Sequence, residues 1–348
     1  MWQNMIGHDH VAERFRRAAQ RNRLPGSYLF VGPKGVGKRM FARMLAKSLL
    51  CRNRPPEMLD ACGVCPACQQ VETGNHPDFI TIAKPEDKSA IPVDLLIGEK
   101  EKRGKSGLCY GMSRKAFANG YKIAVIDDAD DLNQEGANAL LKTLEEPPPK
   151  AIFILIGTSA AKQLPTIRSR CKIIRFLPLA VNDLARLLKD QGIAASMEQA
   201  LRLAERSDGG LEQARQFCDD SLSEIRDILF KEIALGVPNP VPFAIKLNEF
   251  VESAGKEAIL RRNRLTQILI MTLEFYRNLG RFLAGMDAAN LPSRDLLPYL
   301  QRGTQTFQND LSRVFRAAEQ THTALEQIDR NVQIPYIIDA WTQELPQI

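Results

Sequence analysis

No stretch of this 348-residue sequence approaches the roughly 20 consecutive apolar residues that a helix needs to cross a bilayer. The first residues, MWQNMIGHDH, lack a basic segment followed by an apolar run, so no secretory leader is expected and the expected location is cytoplasmic. Neither sign of charge dominates: a net charge of +6 permits contact with nucleic acid without requiring it. A disulfide framework is lacking too. The seven cysteines are odd in number and four crowd between Cys51 and Cys68, a placement that suits metal binding in a reducing compartment. With 44% apolar and 25% charged residues, nothing points to wholesale disorder, and the chain is long enough for two or three domains.

The most informative absence is one hydroxyl. Residues Gly32 to Arg39 read GPKGVGKR, a phosphate-binding loop complete through Lys38 but carrying Arg39 where Ser or Thr would ligate Mg²⁺. Glycines at 32, 35 and 37 let backbone N–H groups face a polyphosphate, and Lys38 supplies the cation. Arg39 supplies charge but no metal ligand. ATP binding is therefore expected to be weak, with Mg²⁺ poorly held.

Tyr28 to Val31 reads as a strand leading into that loop, and Met40 to Leu50 has the 3.6-residue period of a helix after it. Further strands are expected at Phe79 to Ile82, Lys122 to Ile126, Ile152 to Ile156 and Lys172 to Phe176, with helical or loop-like stretches between, which predicts an α/β fold with a parallel sheet. Asn133 opens a helix that Pro147 to Pro149 closes. From about Leu179 strand signals vanish: Asn182 to Asp190 and Met197 to Arg206 give two short helices ending at Gly209 and Gly210. Beyond a Pro-rich loop at Val237 to Pro242 the rest is helical. Leu265, Ile268, Leu269, Thr272, Phe275 and Leu279 form one apolar stripe, and Leu311, Val314, Phe315, Ala318, Leu325 and Ile328 form others.

Three more groups carry chemistry. KIAVIDDADDLN (Lys122 to Asn133) delivers Asp127 and Asp128 at the C-terminal end of a strand, the end at which open α/β sheets bind ligands. Asp127 suits Mg²⁺, directly or through water. Asp128 stands where an ATPase usually carries a longer glutamate to activate water. Two aspartates after a strand can also merely open a turn; the loop upstream favours phosphate. Cys51, Cys62, Cys65 and Cys68 include two C-x₂-C spacings that suit one tetrahedral Zn²⁺. The rival is an iron–sulfur cluster, although the x₃-C-P continuation is missing. Cys109, Cys171 and Cys218 read as isolated, inert thiols. In LPTIRSRCKIIRF (Leu164 to Phe176), Arg168 and Arg170 are either solvated charge or, at the edge of a nucleotide domain, a source of an arginine finger. The helix NALLKTLEEPP ends in acid, against its dipole, which hints at a compensating base on a partner.

As a set these residues closely resemble the clamp-loader AAA+ subunits of bacterial DNA polymerase III. The resemblance runs through RLPGSYLFVGPKGVGK, the four-cysteine insertion, GNHPDF (Gly74 to Phe79), NALLKTLEEPP, LPTIRSRC and IDRNVQIPYIIDAW. It implies a three-part chain: an AAA+ parallel-sheet nucleotide domain at 1–178 with a zinc module at 51–68, a small helical lid at 179–210, and an all-α collar at 211–348. Arg39, Asp128 and the lack of a Pro-rich, charged extension match a stator rather than a motor. A stator of this family is no competent ATPase by itself and helps ATP-driven loading of the sliding clamp onto primed DNA. Its implied partners are motor (gamma/tau) and delta subunits in a heteropentamer, with the clamp and primer-template DNA met through the complex. The implied catalytic contribution is Arg170, of Ser169-Arg170-Cys171, acting in trans as an arginine finger. Gly32, Gly35, Gly37, Lys38, Asp127, Asp128 and Thr158, the last in IGTSAAKQ, form the implied degenerate nucleotide site. Two other readings stand beside it: an ATP-hydrolysing motor subunit, and a stand-alone zinc protein that binds nucleic acid. The role of GEKEKRGKSG (Gly98 to Gly107) is left open.

Overall fold

The computed structural model describes the chain apart from residues 1, 3–4, 86–87, 89, 118–119, 208, 217–219, 287–295 and 346–348. Cys218 lies outside the described residues. The chain divides into two compact units, Met1–Gln213 and Ala214–Ile348.

In the first unit the elements run α1 (Asp9–Gln20), β1 (Ser27–Val31), α2 (Lys38–Leu50), α3 (Pro66–Glu72), β2 (Phe79–Ile82), α4 (Val93–Ile97), α5 (Gly107–Ser113), β3 (Lys122–Ile126), α6 (Gln134–Glu145), β4 (Ala151–Gly157), α7 (Pro165–Arg168), β5 (Lys172–Arg175), α8 (Val181–Asp190) and α9 (Met197–Arg206), with α10 (Leu211–Gln216) starting at its end. The described strands form one parallel five-stranded sheet in the order β2-β3-β4-β1-β5. Helices cover both faces, so the three inner strands SYLFV, KIAVI and AIFILIG are buried at every residue and read as unbroken apolar runs. The edge strands β2 and β5 keep exposed positions. Alternation still sorts the inner side chains. Tyr28, Phe30, Val125 and Ile154 pack with Phe15 of α1 and Phe41 and Leu45 of α2, whereas Leu29, Val31, Phe153 and Leu155 pack with Leu108 and Met112 of α5 and Leu140 and Leu144 of α6. Phe30, Phe41 and Phe176 form a ring cluster with centroids 5.1–5.8 Å apart directly behind the phosphate loop. That cluster holds the loop's two flanking elements together; Phe41→Ala would cost about 3–5 kcal/mol.

The second unit is helical: α11 (Asp220–Ala234), α12 (Pro240–Glu252), α13 (Ala258–Leu283), α14 (Leu297–Thr306), α15 (Leu311–Asp329) and α16 (Ile334–Glu344). Its core gathers Phe230, Leu265, Ile268, Leu269, Phe275, Leu279 and Trp341. The indole N–H of Trp341 donates to Thr321 Oγ1 at 3.1 Å, satisfying a polar group inside the bundle. Two expectations change here. The Pro-rich stretch is half helix, because Pro240 occupies the first turn of α12, where a missing N–H costs nothing. On α15, Phe315 is 68% exposed and Leu311 also faces out, while Val314, Ala317, Thr321, Ala324 and Ile328 are buried. The buried stripe is thus rotated from the one that residue size suggested: small residues face inward where helices pack closely, and the large ring is left outside.

Candidate functional site

The phosphate loop lies between β1 and α2, and its own chain holds it. Gly35 has φ 77°, and a β-carbon there would fall 2.5 Å from Glu212 N, so α10 begins directly against the loop. Leu211 N donates to Gly35 O at 3.3 Å, and Gly32 N donates to Thr158 O at 3.1 Å. Gly37, left-handed at φ 98°, starts α2. His8, fully buried, meets Val36 O through Nε2 at 2.6 Å and stands edge-on to Phe176; burial lowers its pKa. Lys38 turns back into the loop. Its Nζ donates to Gly32 O at 2.5 Å and Pro33 O at 2.6 Å, and burial, partly opposed by the charges of Asp127, Asp130 and Asp128, pushes its pKa down to about 8.

Beyond the lysine, Arg39 Nε lies 3.5 Å from Asp127 Oδ2, with the arginine side chain 59% exposed. An ion pair this open contributes at most about 1 kcal/mol. Asp127 also accepts from Asp128 N at 3.1 Å. Asp128 adopts a left-handed φ of 53°, which short polar side chains tolerate, and burial followed by the neighbouring Asp127 raises its pKa. The loop, Lys38 and Asp127 are thus brought to one end of the sheet. Thr158 is near them through the Gly32 bond, but its side chain is engaged elsewhere.

Its partner is Asp130, which the sequence reading passed over. Asp130 Oδ2 accepts from Thr158 N at 2.7 Å and Thr158 Oγ1 at 2.5 Å, and Oδ1 accepts from Gln163 Nε2 at 2.5 Å. One carboxylate thereby ties the end of β4 to the segment leading into α7. A β-carbon at Gly157 would fall 2.5 Å from Asp130 Oδ1, so the glycine makes room for that carboxylate. His8 gave no local signal, because its partner lies 28 residues away.

The four cysteines meet. Cys51 closes α2, Cys65 caps α3 and Cys68 lies within it, and the Sγ atoms of Cys51, Cys62, Cys65 and Cys68 all lie within 4.8 Å of one another. A tetrahedron of Zn–S bonds of about 2.3 Å sets sulfurs about 3.8 Å apart, so the donor set fits Zn²⁺. Backbone N–H groups support thiolates here: Cys65 N donates to Cys62 Sγ at 3.3 Å and Cys62 N to Cys51 Sγ at 3.5 Å. For Cys65, burial acts upward, but backbone donors and the neighbouring cysteines outweigh it and lower the pKa to about 6. With four protein ligands a metal here would have no open position for chemistry. Lys47 and Arg43 of α2 both pair with Glu72 of α3, tying the module to the sheet domain. By contrast, burial pushes the Cys171 thiol up to about 12 and raises that of Cys109.

Arg168 and Arg170 part company. Arg168 ends α7 and is exposed, whereas Arg170 follows α7 and is bound. Arg170 Nε and Nη2 both reach Glu145 Oε2, at 3.0 and 2.9 Å, and Nη1 donates to Thr166 O at 3.2 Å and Ser169 Oγ at 3.3 Å. The base opposite the acidic end of α6 therefore belongs to the same chain, where the sequence had suggested a partner's. A carboxylate at a helix C-terminus is disfavoured by about 0.3–1 kcal/mol, and the guanidinium offsets it.

A family model described as "DNA polymerase III, delta subunit" matches residues 7–180, which contain the loop, the cysteine module and Arg170. The chain belongs to this clamp-loader family. Among its relatives, it is similar to the DNA polymerase III subunit delta' of Pseudomonas aeruginosa, 36% identical over 183 residues, which are 51% of this chain and 52% of that one. It is also similar to subunit tau of Bacillus subtilis, 30% identical over 246 residues, 69% of this chain and 41% of that one, and to subunit tau of Escherichia coli, 32% identical over 225 residues, 63% and 33%. The chain thus spans about half the length, or less, of these curated relatives. Among solved structures, it is similar to a DNA polymerase III gamma subunit-related protein of Thermotoga maritima, with TM-score 0.39, 14% identity and coverage of 97% of this chain and 98% of that one. A RuvB structure from the same organism gives TM-score 0.40, 14% identity and 86% coverage of both chains. Among the described residues, no helix is long and apolar enough to cross a membrane.

Proposed function

We propose that this chain is the delta-prime-type stator of a DNA polymerase III clamp loader. In this reading it joins gamma/tau motors and a delta subunit in a heteropentamer that loads the sliding clamp onto primed DNA. Its sheet unit is an AAA+ domain with a zinc-stapled insertion at 51–68, α8 and α9 form the lid, and the helices from about Leu211 form its share of the collar. The observation that carries the non-motor assignment is Arg39 beside Asp127: the carboxylate suited to Mg²⁺ faces a guanidinium, and the adjoining hydroxyl ligand is missing. Lys38, spent on the loop's own carbonyls, supports the same reading. The glycines at 32, 35 and 37, Asp127, Asp128 and Thr158 would cradle ATP only weakly. Zinc at Cys51, Cys62, Cys65 and Cys68 would supply a fold staple and no chemistry.

Arg170 is the residue through which the chain touches catalysis, in trans, by stabilising charge on a neighbour's γ-phosphate. Fingers of this kind contribute about 10³–10⁵ in rate at one site. In a ring only one of several motor sites loses its finger, so the overall effect is smaller. The test reconstitutes the loader with Arg170→Ala and measures clamp loading and DNA-stimulated ATP hydrolysis, with Arg168→Ala as control. Loading should fall with Arg170→Ala while assembly persists and Arg168→Ala stays near wild type. Full loading with Arg170→Ala, or an equal loss with both, would leave Arg170 only its structural pairing with Glu145. ATP turnover by the isolated chain would instead make it a motor.

A further inference from the structure

We propose that Glu145 is a positioning residue for Arg170, a carboxylate that holds the guanidinium ready for a phosphate of the neighbouring subunit. The proposal rests on the trans-finger reading of Arg170.

The backbone around Arg170 is pinned from both sides. Ile167 is 1% exposed and Cys171 is buried, and Arg170 N donates to Ile167 O at 3.1 Å. The side chain leaves this anchored point toward the surface, where a long cation would ordinarily sample many rotamers. Here three of its nitrogens are spoken for. Nη1 donates to Thr166 O and Ser169 Oγ of its own turn, while Nε and Nη2 converge on the single oxygen Oε2 of Glu145. Glu145 is itself anchored: it ends α6, directly after buried Leu144, whose carbonyl accepts the Ser27 hydroxyl at 3.1 Å.

Stability is a poor reason for this pair. The glutamate side chain is 59% exposed and the arginine 30%, and pairs so open add little to folding. A carboxylate at the C-terminal end of a helix also opposes the dipole. Orientation is what the contact supplies. One carboxylate oxygen shared by two N–H groups is a looser clasp than a fork in which each N–H has its own oxygen, and a phosphate offers that fork. Glu145 therefore confines the guanidinium beforehand and yields it when a polyphosphate arrives. No bond is made or broken; one anion replaces another.

The experiment uses the reconstituted clamp loader carrying Glu145→Ala, Glu145→Gln, Arg170→Ala or the Glu145→Ala/Arg170→Ala pair, and measures clamp-loading rate against ATP concentration. Confining one long side chain in advance corresponds to about two- to tenfold. Glu145→Ala should lower the maximal rate by about that factor with little change in the ATP concentration for half-maximal rate. Glu145→Gln, which keeps an acceptor without the charge, should fall between. The double variant should match Arg170→Ala alone. A wild-type rate with Glu145→Ala beside a clear loss with Arg170→Ala overturns this proposal and leaves the finger reading standing. A further loss from Glu145→Ala in the Arg170→Ala background also overturns it, since that loss would be structural. A silent Arg170→Ala defeats the finger reading and this proposal with it. Melting of each isolated chain identifies any variant that fails to fold.

Discussion

Asp130 gives a stability prediction that depends on no view of function. Replacing it with Ala removes the shared acceptor of three hydrogen bonds of 2.5–2.7 Å: from Thr158 N, Thr158 Oγ1 and Gln163 Nε2. Hydrogen bonds to a charged group contribute about 1.5–3 kcal/mol each, but three on one carboxylate do not add, and removing it also ends its desolvation cost. The Thr158 hydroxyl can turn to water, whereas Gln163, 3% exposed, loses its partner inside the fold. The net is about 3 kcal/mol, roughly 6–12 °C in the melting temperature of a unit of this size. Thr158→Val removes only the hydroxyl bond and should cost about 1 kcal/mol. In the Asp130→Ala background Thr158→Val should cost nearly nothing, because its partner has gone. Urea and thermal unfolding of the four proteins supply the cycle. A loss below about 1 kcal/mol for Asp130→Ala, or additive losses in the double variant, would mean that these short contacts do not hold the loop.

Four further outcomes follow from the same geometry. Native protein purified without chelators should hold one equivalent of zinc on Cys51, Cys62, Cys65 and Cys68; iron, or less than about half an equivalent of zinc, would count against the site. Iodoacetamide at pH 8 should label Cys62 and Cys65, whose thiol pKa values backbone donors lower, after chelation and spare Cys171, whose thiol burial pushes up to about 12; rapid labelling of Cys171 would contradict its burial. The isolated chain should show weak ATP binding and no turnover, and Mg²⁺-dependent hydrolysis on the order of 1 s⁻¹, lost in Lys38→Ala, would refute this. Because burial lowers the Lys38 pKa to about 8 from 10.5, the unfolded chain binds the extra proton between those values, so this group makes stability rise with pH across that window. Lys38→Met should lack that rise, and equal pH slopes for both proteins would mean that the amine sits in water.

What was legible in the sequence was whatever repeats locally. The three inner strands are nearly unbroken apolar runs because helices cover both faces of the sheet, and a buried strand shows no polar alternation. The glycines and Lys38 were legible because a tight loop before a helix constrains residue type at fixed offsets. The cysteines declare themselves by spacing. Asp130, Gln163 and His8 were not legible, and at Glu145 the acid was legible but not its partner, since the partners lie 25 to 33 residues away and only the folded chain supplies the contact. The stripe on α15 was misread for a related reason. Size and apolarity marked Phe315, yet close packing of α15 against α13 and α16 favours Ala317, Thr321 and Ala324 inside.

The persistence of GPKGVGK in a chain whose next residue is Arg39 has a physical account that requires no nucleotide. Each feature of the loop is used by the fold. Lys38 caps the carbonyls of Gly32 and Pro33, Val36 O takes the His8 ring, Gly32 N reaches Thr158 O, and Gly35 makes room for the start of α10. Changing a glycine here would strain a packed junction of β1, β4, α2 and α10 whether or not phosphate ever binds. Arg39 is different. Its side chain is 59% exposed and its pairing with Asp127 is loose, so the fold places little demand on that position. A motif of this kind therefore reports two things separately. The glycines and lysine report a backbone shape that packing preserves, and the residue after the lysine, which packing leaves unconstrained, reports the chemistry.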